Sequence, residues 1–166
     1  MHKKFPALFV LCIFLCASSA WAQKVRYVID GDTFILQNNQ RVRMIGINAP
    51  EIRHAKYGKK KGEPFGVQSK KYLAHLIEKR DVDLKSDREE FDRYGRRLAY
   101  VYLPDGTFVN EKIIKDGYAR AYLQFPFVHK KDFLAAEREA KNQKLGMWSG
   151  KRPSWRDKLI EFLQFE

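Results

Sequence analysis

The stretch KVRYVIDGDTFILQNNQRVRMIGINAPE, residues 24–51, decides the fold. Lys24 to Ile29 is rich in β-branched and aromatic side chains and reads as a strand. Asp30-Gly31-Asp32 interrupts it as a turn, Thr33 to Leu36 resumes in extended form, and Asn38-Asn39 is a hairpin signal. Arg41 to Ile47 then alternates basic and apolar residues. A two-residue side-chain period puts Arg41 and Arg43 on one face and Val42 and Met44 on the other. Three consecutive strands with short turns form a meander. Such a run before any helix excludes an alternating βαβ parallel sheet.

Working outward, Pro50 ends the third strand. Arg53 to Gly66 carries Lys56, Lys59, Lys60 and Lys61 among glycines and reads as an exposed basic loop, with phosphate attraction as a secondary effect. A helix is predicted from about Phe65 to Arg80, with Val67, Leu73, Leu76 and Ile77 near helical spacing. Val82 to Lys85 and Arg96 to Leu103 read as strands on either side of a charged turn at Asp87 to Tyr94. Val109 to Lys115 reads as a short helix closed by Gly117. Tyr118 to Phe125 reads as aromatic and extended. Lys130 to Lys144 reads as a helix with Phe133, Leu134, Ala136 and Ala140 inward. About five strands and three helices predict an α+β, β-rich domain: a five-stranded Greek-key barrel of the OB type with three packed helices. Residues 151–166 add an amphipathic C-terminal helix. Ser154 and Asp157 resemble a capping box, and Trp155, Leu159, Phe162 and Leu163 share a face that packs on the domain or docks on a membrane or partner.

The chain has 166 residues, 45% of them hydrophobic, which suits one folded domain and argues against a mostly disordered chain. Its 32 basic and 20 acidic side chains give a formal charge of +12, which favours anionic partners. Its single long apolar run is Phe5 to Ala17. This run follows Lys3 and Lys4 and precedes Ala20-Trp21-Ala22, the pattern of a cleaved secretory signal over residues 1–22. The expected domains are therefore the signal, a barrel domain at 23–150 and the tail helix. The expected location is secreted or periplasmic. Membrane contact is expected only if the signal stays uncleaved or the tail docks. Both cysteines lie in the signal, so the mature domain has neither disulfides nor thiolate ligands. His54, His75 and His129 lack metal-ligand spacing, and zinc is disfavoured.

Four clusters carry the chemistry. Asp30-Gly31-Asp32-Thr33 places an acid beside a turn, which is equally the pattern of an ordinary solvated turn. Asn48 and Glu51 directly follow a buried strand, where a rigid element can aim them; a capping role and a surface glutamate are the plainer alternatives. Asp32, Asn48 and Glu51 offer hard oxygens, with a peptide carbonyl near Ala49 as a further donor, and this set suits Ca²⁺. Asp92-Arg93-Tyr94-Gly95-Arg96 can project Arg96 from a tight bend or form a surface ion-pair loop. The lysine loop is the fourth. Together they supply what phosphodiester hydrolysis needs: two guanidiniums, Arg43 and Arg96, for the phosphoryl oxygens and a carboxylate, Glu51, for the proton of an attacking water.

The segments VIDGDTF at 28–34, RVRMIGINAPE at 41–51, FDRYGRRLAYVYL at 91–103, VNEKIIKDGYARAY at 109–122 and KLGMWS at 144–149 resemble, in that order, the staphylococcal nuclease family, the thermonucleases. The resemblance covers roughly residues 24–149. It implies an OB-fold barrel with three helices and a Ca²⁺-dependent endonuclease acting on DNA and RNA that leaves 3′-phosphate ends. It implies Asp32 as a direct metal ligand, Asn48 where the family commonly has a ligating Asp, and Ala49 as a ligand through its carbonyl. Arg43 and Arg96 match the phosphate-binding arginines and Glu51 the catalytic glutamate. Arg93 and Tyr94 fall near substrate phosphates, and Tyr122 lies where an aromatic ring can stack on a base. A monomer with no protein partner is expected. The alternative is a catalytically silent OB-type module that binds nucleic acid, for which the main argument is Asn48.

Overall fold

The computed structural model describes residues 22–52 and 62–150. Residues 1–21, 53–61 and 151–166, on which the expected signal, most of the expected basic loop and the expected tail helix fall, lie outside the described residues. Within them, β1 (Gln23–Asp30), β2 (Thr33–Leu36) and β3 (Arg41–Met44) form the expected antiparallel meander. The alternation works as read: Phe34, Leu36, Val42 and Met44 are buried, while Arg41 is exposed. The helix α1 (Gly66–Ile77) packs on β1, with Leu73 and Ile77 fully buried. Next come β5 (Asp81–Lys85) and β6 (Arg97–Tyr102). Parallel pairing of β3 with β6, and antiparallel pairing of β5 with both β6 and β1, closes a barrel in the order β1-β2-β3-β6-β5. Each Val, Leu, Ile or Phe fully buried in this core contributes roughly 1.5–3 kcal/mol.

The Arg41 to Ile47 strand is not continuous. Ile45 and Gly46 separate β3 from a two-residue strand, β4 (Ile47–Asn48). Two long-range contacts cause the break. Gly46 has φ 73, and a Cβ there would lie 2.7 Å from the Phe127 ring. The carbonyl of Ile45 accepts a 2.9 Å hydrogen bond from Nδ2 of Asn110, a fully buried residue on α2 (Val109–Lys115) whose Oδ1 accepts from the Val101 amide at 2.8 Å. Asn110 thus ties α2 to both barrel strands with its polar atoms satisfied.

The Tyr118 to Phe125 region also departs from expectation. Only β7 (Arg120–Ala121) is extended, paired with β4, and the chain then leaves the sheet. α3 (Lys130–Asn142) buries Phe133, Ala136 and Ala140, but Leu134 stays 37% exposed because it falls off the buried stripe. A single 3₁₀ turn at Gly146–Ser149 follows. The three helices and the closed five-strand barrel are those the sequence predicts.

Candidate active site

The site is built where the turn after β1 meets the start of β4. Asp32 is only 3% exposed. Its Oδ1 accepts from the Thr33 hydroxyl at 2.9 Å, its Oδ2 accepts from the Ala49 amide at 2.9 Å, and it forms an ion pair with Arg43. The turn sits tightly on its surroundings, since a Cβ on Gly31 would come within 2.5 Å of the Ala49 Cβ. That contact fixes the Asp32 loop against the segment carrying Asn48, Ala49 and Glu51.

Arg43 is the hub. Its Nη2 donates to the Ile47 carbonyl at 3.2 Å and to Oδ1 of Asn48 at 3.3 Å. Burial pushes its guanidinium pKa down. The Asp30 carboxylate opposes that shift, the positive charge of Arg96 adds to it, and Glu51 and Tyr122 oppose it. Asp32, Asn48, Ala49, Glu51, Arg96 and Tyr122 are therefore all drawn to one centre, each in contact or in electrostatic reach of Arg43 or Asp32.

Arg96 enters from the turn before β6. Its Nε donates to Oδ2 of Asp92 at 2.7 Å, and Asp92 Oδ1 also accepts from the backbone amides of Tyr94 and Arg96. Burial disfavours the Asp92 anion, but those donors outweigh it and hold its carboxyl below the usual range. Tyr94 connects Arg93 to Arg96. The Arg93 guanidinium donates to the Tyr94 hydroxyl at 2.6 Å, and both arginines lie over the Tyr94 ring, at 4.8 and 5.4 Å. Tyr94 is 66% exposed. Tyr122 is held beside β4 by its amide, which donates to the Gly46 carbonyl at 2.8 Å, and its ring centroid is 5.9 Å from that of Phe125.

Two neighbours escaped the sequence reading. Asp30 lies in electrostatic reach of Arg43 and favours its charged form, beside the direct ion pair with Asp32. Its place in Asp-Gly-Asp was visible, but nothing local distinguished it from a turn residue. Glu63 brackets Glu51: its Oε2 accepts from the Glu51 amide at 3.4 Å and its amide donates to the Glu51 carbonyl at 2.8 Å. This contact joins residues twelve apart in the chain and leaves no local signal.

The donor chemistry fits a hard cation. The candidate ligands are all oxygens, and the described residues hold no cluster of three or more His, Cys, Asp or Glu side chains. The Asn48 amide, a backbone carbonyl and water would have to complete the shell around the buried Asp32.

A small closed β-barrel with packed helices, in which Arg43 pairs with the buried Asp32 and lies in electrostatic reach of Arg96, defines an α+β protein of OB architecture. Residues 41–150 match the family described as staphylococcal nuclease homologue, and the chain belongs to that family. It is 36% identical over 130 residues to the thermonuclease of Staphylococcus hyicus, covering 76% of this chain and 75% of that protein. It is 32% identical over 151 residues to the micrococcal nuclease of Shigella flexneri, covering 82% and 80%. It is 33% identical over 162 residues to protein ParB of Escherichia coli, covering 89% and 85%.

Proposed function

We propose that the chain is an exported, monomeric, Ca²⁺-dependent endonuclease that hydrolyses phosphodiester bonds of DNA and RNA and leaves 3′-phosphate ends. The observation that carries this reading is the convergence of Arg43 and Arg96. Each is held by its own carboxylate, Arg43 by Asp32 and Arg96 by Asp92, and Arg43 lies in electrostatic reach of both Arg96 and Glu51, so two oriented guanidiniums and a candidate base surround one centre, which suits a phosphoryl group.

In this reading the two guanidiniums hold the non-bridging phosphoryl oxygens by forked hydrogen bonds, which strengthen as charge builds there in the transition state. Glu51 accepts a proton from the attacking water. The water oxygen bonds to phosphorus, the bond from phosphorus to the 5′ oxygen breaks, and that oxygen takes a proton from solvent and leaves as a 5′ hydroxyl. Asp32, Oδ1 of Asn48 and the Ala49 carbonyl would hold the divalent ion, which supplies Lewis-acid charge at the phosphoryl group. Asp92 orients Arg96, Arg93 and Tyr94 flank the substrate phosphates, and Tyr122 stacks on a base.

Asn48 favours a second reading, a catalytically silent module that binds nucleic acid, because it removes one negative charge from the ligand set. Incubating the purified protein with plasmid and with RNA, in Ca²⁺ and then in chelator, separates the two. Cleavage in Ca²⁺, loss in chelator and 3′-phosphate ends are expected. Glu51→Gln should keep binding and lose turnover by about 10²–10⁴-fold. Wild-type turnover in that variant would remove Glu51 from the mechanism.

A further inference from the structure

The outer face of the meander carries a second set of groups suited to nucleic acid. Tyr27 pairs with Ile35, and Ile35 pairs with Arg41, so an aromatic ring, an aliphatic side chain and a guanidinium stand in one row across three strands. Phe34, Leu36 and Val42 point into the core, which leaves Ile35 and Arg41 facing outward. A register shift between Val25 and Tyr27 turns both Arg26 and Tyr27 out of the barrel, and Tyr27 is 43% exposed. The Arg26 guanidinium carbon lies 5.9 Å from the Tyr27 ring centroid, and its Nη1 donates to Asn39 Oδ1 at 2.5 Å.

This row continues the candidate centre. Arg41 and Arg43 lie two residues apart on the same face of β3, a separation of about 7 Å along the strand. Thr33, the β2 partner of Arg43, lies two residues from Ile35 in the same way. Acidic groups border the row without entering it: Asp81 lies opposite Lys24 on the β1–β5 side, and Glu78 Oε2 accepts from the Val28 amide at 3.2 Å. Lys24 is left out for that reason. Neither Arg26 nor Arg41 forms an ion pair among the described residues, so both retain donors for phosphate.

The geometry points to an extended single strand of nucleic acid as the occupant: from the phosphate held at Arg43, the strand runs outward over β2 and β1, with its next phosphates on Arg41 and Arg26 and a base stacked on Tyr27. This rests on the nuclease reading and deepens it, because it assigns the grip on the substrate beyond the cleaved bond. A cationic groove interleaved with an exposed ring is the general chemistry of single-strand binding. Ile35 adds an apolar floor between the two.

The test uses the full chain in chelator, so that binding is read without cleavage. Probes are a labelled single-stranded oligonucleotide of about twelve nucleotides, within the usual site size, and a dinucleotide too short to pass Arg43. Tyr27→Ala should weaken the long probe by roughly 5- to 100-fold, and Tyr27→Phe should restore it. Arg41→Ala should flatten the slope of log affinity against log salt by about 0.7, and Arg41→Lys should recover the slope. Dinucleotide binding should not change in any of them. Wild-type affinity and slope for the long probe in both alanine variants would overturn the assignment. So would equal losses on both probes, which would mean that the substitutions act on the centre itself. If Tyr27→Ala unfolds, Arg41→Glu decides, with a loss confined to the long probe expected. A protein that binds as described yet cleaves nothing in any divalent ion would retain this surface and lose the nuclease reading.

Discussion

Asn48 and Asp92 each hold an arginine of the candidate centre through a side-chain oxygen, and each gives a prediction about charge. Asn48→Asp puts an anion where a neutral oxygen now accepts from Arg43 at 3.3 Å. Unit charges about 4 Å apart at an effective dielectric of 20 interact by roughly 4 kcal/mol, an upper bound for a hydrated cleft. Desolvation and repulsion from Asp32 oppose that gain. The net expectation is about tenfold tighter Ca²⁺ binding, ~1.4 kcal/mol, read by calorimetric titration with a nucleotide present. Unchanged or weaker binding would take residue 48 out of the ligand set. Asp92 acts through protonation. Its folded pKa lies below its unfolded value of about 3.9. Its stabilising contribution is therefore complete above that value and is lost as pH falls through the lower, folded one. The stability gap between wild type and Asp92→Asn, measured by urea unfolding, should be constant near neutrality and shrink below about pH 4. A gap that stays constant with pH would mean that Asp92 does not act through its ionised hydrogen bonds.

At the scale of elements, Gly46 and Gly95 allow a controlled comparison. Their φ values are nearly equal, 73 and 72, but an added Cβ at Gly46 meets Phe127 and Phe133 whereas one at Gly95 meets nothing within 4 Å. Gly95→Ala should cost only left-handed strain, roughly 1–2 kcal/mol. Gly46→Ala adds overpacking and should cost roughly 2–5 kcal/mol. Thermal unfolding of the two variants checks the order, and equal losses would show that the ring contacts yield freely. The same residues explain what the sequence could not convey. The strands of the meander and the helix cores are local patterns of period, and they were legible; the grouping of Asp32, Arg43, Asn48 and Glu51 came from the family resemblance, since each short motif alone is equally an ordinary turn or surface pattern. The split of β3 from β4 depends on Asn110 and Phe127, far along the chain, and so was hidden. The Glu51–Glu63 bracket and the weight of Asp30 on Arg43 were hidden for the same reason. Leu134 was misplaced because one apolar residue at the edge of a helical stripe looks like another.

For the whole molecule, a formal charge of +12 matters only if it is organised. Arg41, Arg43 and Arg96 join the outer face of the meander to the candidate centre, and a strand touching three or four phosphates there would release their counterions. Log affinity for single strands should then fall with log salt at a slope of roughly −2 to −3, measurable by anisotropy across a salt series in chelator. A flat response would mean that the cations are scattered over solvated faces.

The parallel seam has a bearing on how the protein comes to exist. Val42 pairs with Arg97 and Met44 with Ala99, so the barrel closes through partners far apart in the chain, while β1, β2 and β3 meet through tight local turns. Loop-closure entropy must be met before such distant pairing returns any energy, and this slows folding. The hairpins can form early, but Arg43 lacks its β6 neighbour, Leu98, until that strand arrives. During synthesis the first half of the chain therefore carries most of the candidate chemistry in an unassembled form, and the centre is completed late, by the same event that completes the fold.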